Sequence, residues 1–124
     1  MATTAFFSDS FSIYVLLASA AAHNVANPGR SLRIMNIKVY NGTGTPDITV
    51  TKTGGTNISL GGAVATATNA WKDIPVDTTA NTISTTDVIT ITNDDVSTTQ
   101  VILECIAGTG STNTWDSKET LTVT

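Results

Sequence analysis

Charge is what this chain has least of. It carries six Lys or Arg and ten Asp or Glu, 13% of 124 residues, against about 25% in ordinary soluble domains. The basic residues (Arg30, Arg33, Lys38, Lys52, Lys72 and Lys118) are scattered, so no basic stripe exists to track a phosphate backbone. Two Glu, one Gln, four Lys and six Leu supply too few helix formers for a bundle, a coiled coil or most α/β enzymes. Cys105 is the one cysteine, which excludes an internal disulfide and a cysteine-rich zinc site. The chain shows no dependence on an oxidising compartment. His23 is the one histidine, so any Ser-His-Asp or Cys-His chemistry would have to use it.

What the chain does have is β-branched residues. It has 25 Thr, 11 Ile and 10 Val, together 37% of the sequence. These side chains fit a pleated surface. The length suits one domain with a real core. Net charge is −4, with a pI near 4.5.

The one candidate targeting signal is 11–22, FSIYVLLASAAA. It has the apolar length of a signal-peptide core, and Ala18-Ser19-Ala20 resembles a small-residue cleavage site. Asp9 stands where such a signal needs positive charge, and no Lys or Arg precedes Arg30. The stretch is too short to span a membrane as a helix. Phe7, Phe11, Tyr14, Val15, Ala18 and Ala22 also fall near helical spacing. The Ile13-Tyr14-Val15 run favours a strand over about 12–18, apolar on both faces, with the alanine tail left ambiguous.

Further strands follow by alternation. Asn27-Pro28-Gly29 is a turn that launches 30–41. There Met35, Ile37 and Val39 share one parity, and Leu32 and Ile34 the other. Either this strand starts buried on both faces, or a bulge near Met35 resets its register. A three-residue loop, Thr53-Gly54-Gly55, sets Val50 opposite Ile58 and Ile48 opposite Leu60; a five-residue loop keeps that register. A weak strand or extended crossing occupies 64–68. Trp71 to Ile74 reads as a short or edge strand, because Pro75 donates nothing to a ladder. The segment 77–86 reads as polar loop. The stretch 87–93 turns Ile89 and Ile91 inward, and 99–107 does the same with Val101, Leu103 and Cys105, leaving Ile102 and Ile106 opposite. Leu121 and Val123 suit a last short strand. Seven to nine short strands are the pattern of a sandwich or barrel.

No catalytic, cofactor or metal residue is expected. Cys105 sits among Ile102, Leu103 and Ile106, where a buried inert thiol is usual. His23 reads as a loop or strand-end residue. Asp94-Asp95 and the group Asp73, Asp77 and Asp87 lack a patterned calcium loop. Asx turns account for Asn93-Asp94-Asp95. The aromatics raise a different question. Phe6 and Phe7 precede any confident strand, and Trp115 lies in a polar tail, so a neighbouring subunit is expected to cover them. Sugar stacking on Trp115 is the competing idea.

The run PGRSLRIMNIKVYNGTG, followed by DITVTKTGG, DVITITNDD and VILECIAG, resembles the small virion proteins of tailed bacteriophages, especially capsid decoration (cement) proteins. The likeness lies in Thr-rich alternating strands and Gly turns over about 13–107, not in a fixed motif. It implies an all-β, single-domain β-sandwich, jelly-roll-like, with residues 1–12 as an N-terminal arm and 13–124 as the sandwich. It also implies a non-enzymatic structural role. The protein would be a homotrimer on the capsid surface, made in the host cytoplasm. It would bind the major capsid protein and stabilise contacts between shell subunits, without cofactors, nucleic acid or membrane. A tail, neck or fibre domain and a carbohydrate-binding module are the alternatives. Phe6, Phe7, Phe11, Ile102, Ile106 and Trp115 are the expected interface residues. Deletion of residues 2–10 is expected to leave the sandwich folded with near-native melting and to reduce attachment to the shell sharply, read by melting and by sedimentation with particles.

Overall fold

The computed structural model describes residues 3–6, 10–18, 20–25, 31–95, 98–107 and 120–123, the first and last of these as backbone only. Every regular element among them is a strand. The front sheet has the spatial order β2 (Ser10–Leu17), β11 (Thr99–Ala107), β4 (Leu32–Asn41), β8 (Ala70–Ile74). A two-residue strand, β9 (Thr82–Ile83), also pairs with β4. The back sheet has the order β3 (Ala21–Val25), β10 (Ile89–Asn93), β5 (Asp47–Lys52), β6 (Thr56–Asn57), with β7 (Val64–Ala65) also on β5. All these ladders are antiparallel. From β2 to β11 the chain changes sheet at every connection except β5–β6, β6–β7 and β8–β9, and this order of strands in two facing sheets is that of a jelly roll. The chain is thus a single-domain all-β sandwich.

Strict alternation builds the core. Ile13, Leu103, Ile37 and Ile74 lie opposite one another across the four front strands. Leu103, Ile37 and Ile74 are fully buried, and Ile13 packs against them from the sheet edge. Ile48, Val50, Ile89 and Ile91 face them from the back sheet, all fully buried. β2 is the strand with apolar residues on both faces. Phe11, Ile13 and Val15 pack inward, while Tyr14 and Leu16 are exposed.

The parity conflict in β4 is resolved by a bulge. Glu104 pairs with Asn36 and Cys105 with Ile34, so Met35 has no opposite number. Met35 turns to solvent, and Ile34 and Leu32 join Ile37 and Val39 inside. β8 and β9 leave a gap beside the bulge, which Asn81 fills. The Ile34 N–H donates to Asn81 O (3.0 Å), and Asn81 Nδ2 donates to Ile34 O (2.9 Å).

The β5–β6 hairpin has the three-residue loop. Lys52 pairs with Thr56 and Thr51 with Asn57, and Gly54 and Gly55 adopt φ of 87° and 77°. Leu60 departs from the expected pairing with Ile48. Ile58 N and Ser59 N both donate to Val50 O (2.7 and 3.1 Å), and Ser59 Oγ accepts from Val50 N (3.1 Å). Ser59 thus occupies the ladder position, Ile48 pairs with Val64 instead, and Leu60 is exposed.

One further expectation differs, and two segments gain detail. The polar loop at 77–86 contains β9, whose Ile83 is fully buried beside Ala80 and Asn81. The alanine tail includes β3, paired with β10. The expected boundary at residue 12 falls inside β2, and β1 (Thr3–Phe6) pairs antiparallel with β12 (Thr120–Val123) of the same chain.

Two substitutions test this packing. Leu103→Ala is expected to destabilise by ~2–5 kcal/mol through the cavity left in the central row. Asn81→Ala is expected to cost ~1–3 kcal/mol, because the carbonyl beside the bulge loses its partner. Equilibrium urea unfolding measures both.

Candidate interaction surface

The outer face of the front sheet is where the strands place unusual side chains. Period two forces Leu16, Gln100, Tyr40 and Trp71 into one row across β2, β11, β4 and β8. The next row is Tyr14, Ile102, Lys38 and Asp73. Tyr14 is 57% exposed, Leu16 54%, Trp71 49% and Met35 46%. Tyr40 and Trp71 rings meet at 5.4 Å between centroids, tilted by 45°, a geometry aromatic pairs favour. Lys38 Nζ and Glu104 Oε1 form an ion pair at 3.3 Å on the same face. Both side chains are 42% exposed, so the pair contributes no more than about 1 kcal/mol. Its main effect is to neutralise two charges on a face that also carries Gln100 and Asp73.

The expected interface residues divide. Ile102 stands on this face, half-buried between Tyr14 and Lys38. Ile106 is only 5% exposed, already buried within the protomer. Phe11 packs inward against the core rather than out toward a partner. Phe6 lies in β1 as far as its backbone is concerned. Phe7 and Trp115 lie outside the described residues. Tyr14, Leu16, Tyr40 and Trp71 were missed as a group. Tyr40 and Trp71 are distant in sequence, and only the β4–β8 register makes them neighbours.

The chemistry-bearing residues are dispersed. His23 sits in the middle of β3, opposite Ile91, rather than in a loop, while Cys105 belongs to the front sheet. Cys105 is 2% exposed, and its Sγ donates to Leu103 O at 3.5 Å. Burial pushes its thiol from 9.0 up to about 12, with the Glu104 carboxylate adding to the shift. An open groove of about 390 Å³ runs past Ser10, Ser12, Met35, Glu104 and Cys105. It brings together one carboxylate and a protonated thiol.

The acidic residues serve turns. Asp77 Oδ1 accepts from Thr79 Oγ1 (2.6 Å) and Thr79 N (2.9 Å), which holds its pKa below the usual carboxylate value. Asp87 Oδ2 accepts from Ser84 N (2.9 Å), with the same effect. Asn93 Oδ1 accepts from Asp95 N (3.1 Å), the Asx turn expected there. Among the described residues no three His, Cys, Asp or Glu side chains gather as a metal-holding group.

No protein-family model matches the chain, and no curated protein matches it. A chain from Bacillus endospore appendages, described as forming a novel family of disulfide-linked pili, overlays with a TM-score of 0.45 at 18% identity. The overlay covers 85% of this chain and 92% of that one. A likeness this distant carries no functional argument.

Cys105 yields a prediction with a definite sign. Its folded pKa lies above the unfolded value, so its contribution to stability is complete below pH 9 and is lost as pH rises toward 12. Unfolding free energy is expected to fall over that range by up to about 1.4 kcal/mol per pH unit relative to Cys105→Ala. Iodoacetamide at pH 8 is expected to label the thiol only after denaturation, as read by mass spectrometry.

Proposed function

We propose that this chain is a non-enzymatic structural protein of a virion, a decoration protein that binds the outer capsid shell and stabilises contacts between major capsid subunits. The observation that carries the reading is the outer wall of Tyr14, Leu16, Met35, Tyr40, Trp71 and Ile102. Adjacent apolar side chains on one rigid sheet face mark a protein contact surface. Tyr and Trp give large contact area at low cost in side-chain freedom, which suits them to anchor a partner. The Thr-rich strand pattern supplies the virion context by resemblance.

One specific observation favours a second reading. The Tyr40–Trp71 pair, with Lys38 and Asp73 in the adjoining row, offers aromatic rings beside hydrogen-bonding groups. That combination suits a sugar ring, as in a carbohydrate-binding module.

Purified particles of the source decide between them. The decoration reading expects many copies spread over the shell. It also expects the Tyr14→Ala, Trp71→Ala double variant to bind stripped particles at least about tenfold more weakly, as loss of two aromatic anchors costs ~2 kcal/mol or more. A few copies at the tail alone, or glycan binding by the isolated protein with no affinity for particles, would overturn it.

A further inference from the structure

The two flanks of the sandwich are protected differently. On one flank, β6, β7 and β9 are only two residues long. β8 on that flank carries Lys72 and Asp73 and runs directly into Pro75. Lys72 lies opposite Val39, on the inward side of the strand, and its Nζ donates to Ala65 O at 2.5 Å. Short strands, inward charges and proline are the devices that keep a sheet edge from pairing with another chain.

The other flank has none of them. β2 is eight residues long, no charged residue stands between Asp9 and Arg30, and no proline precedes Pro28. Among the described residues no strand lies outside β2 or β3. Because the sandwich is open there, inward-facing Ile13, Val15 and Val25 remain only half-buried.

We propose that β2 is the edge at which two copies of this chain pair, antiparallel about a two-fold axis, to make one sheet continuous across both. This concerns the isolated protein and is independent of the virion reading. Three observations select a second copy as the occupant. The strand is self-complementary: one register sets Tyr14 against Tyr14 and Ile13 against Val15, and the alternative sets Ile13 against Ile13 and Ser12 against Tyr14. Both keep inward residues facing inward residues. Each copy carries a net charge of −4, and this uncharged stretch lets two copies meet without like charges in contact. The protected far flank offers no second edge for head-to-tail growth, so the contact closes at two.

The test is the mass of the full chain by light scattering over a concentration series, with amide hydrogen exchange on the same samples. The expected mass is twice 12.9 kDa, and the β2 amides are expected to gain protection as the dimer forms. Tyr14→Lys with Leu16→Lys, at two exposed positions, is expected to give a monomer with an unchanged circular dichroism spectrum. Trp71→Lys, on the same face but the protected flank, is expected to leave the dimer intact. A monomer throughout, a three-copy mass, a dimer indifferent to the paired lysines, or a dimer broken by Trp71→Lys overturns the proposal. If the lysine variant fails to fold, exchange in the unmodified chain decides, and β2 amides that stay unprotected at high concentration overturn it.

Discussion

The register between β11 and β4 is the constraint on which the rest of this structure depends. β11 is paired along nearly its whole length on both sides, with β2 and with β4. A one-residue slip there would send Val101, Leu103 and Cys105 outward and bring Gln100, Ile102 and Glu104 into the core. The bulge at Met35 is the one place where the register is allowed to change. It lets both halves of β4 turn their aliphatic side chains inward despite opposite parity in sequence. Asn81 makes this tolerable by bonding the Ile34 backbone on both its N–H and its C=O. The β4–β8 register sets Tyr40 beside Trp71 and the β2–β11 register sets Tyr14 beside Ile102, and the β11–β4 register joins the two pairs across one face.

Much of the fold was legible because alternation is a local signal. The strands around Ile37, Val50, Ile91 and Leu103, the loop at Gly54-Gly55 and the bulge near Met35 could all be read from residues close together in sequence. What was not legible depended on distant partners. β9 is two residues long and is defined by its pairing with Leu32 and Arg33, about fifty residues away in sequence. Ser59 displaces Leu60 from the ladder through a hydroxyl bond to Val50, which no hydrophobic pattern announces. The outer wall was visible only in part. Ile102 stood out by parity, but Ile106 has the same parity and is buried, while Tyr40 and Trp71 are joined only through tertiary pairing.

The chain's chemistry agrees with its composition. Carboxylates that looked available for a cation accept hydrogen bonds from their own turns, as Asp77 does from Thr79 and Asp87 from Ser84. The thiol is held protonated by burial, and the imidazole belongs to the other sheet. Polar side chains here mostly finish local backbone geometry, and the distinctive features are displaced to the surface.

The neutrality of the stretch that includes β2 has a kinetic meaning. A contact without charges has no long-range field to draw a partner in or to orient it. Each copy still carries a net charge of −4, so the association rate lies at or below the unsteered range of about 10⁵–10⁶ M⁻¹ s⁻¹ and rises as salt screens the repulsion between copies. The lifetime of such a contact is then set by strand hydrogen bonds and apolar area alone. An assembly joined this way forms more slowly in dilute salt than in concentrated salt, while its lifetime changes little.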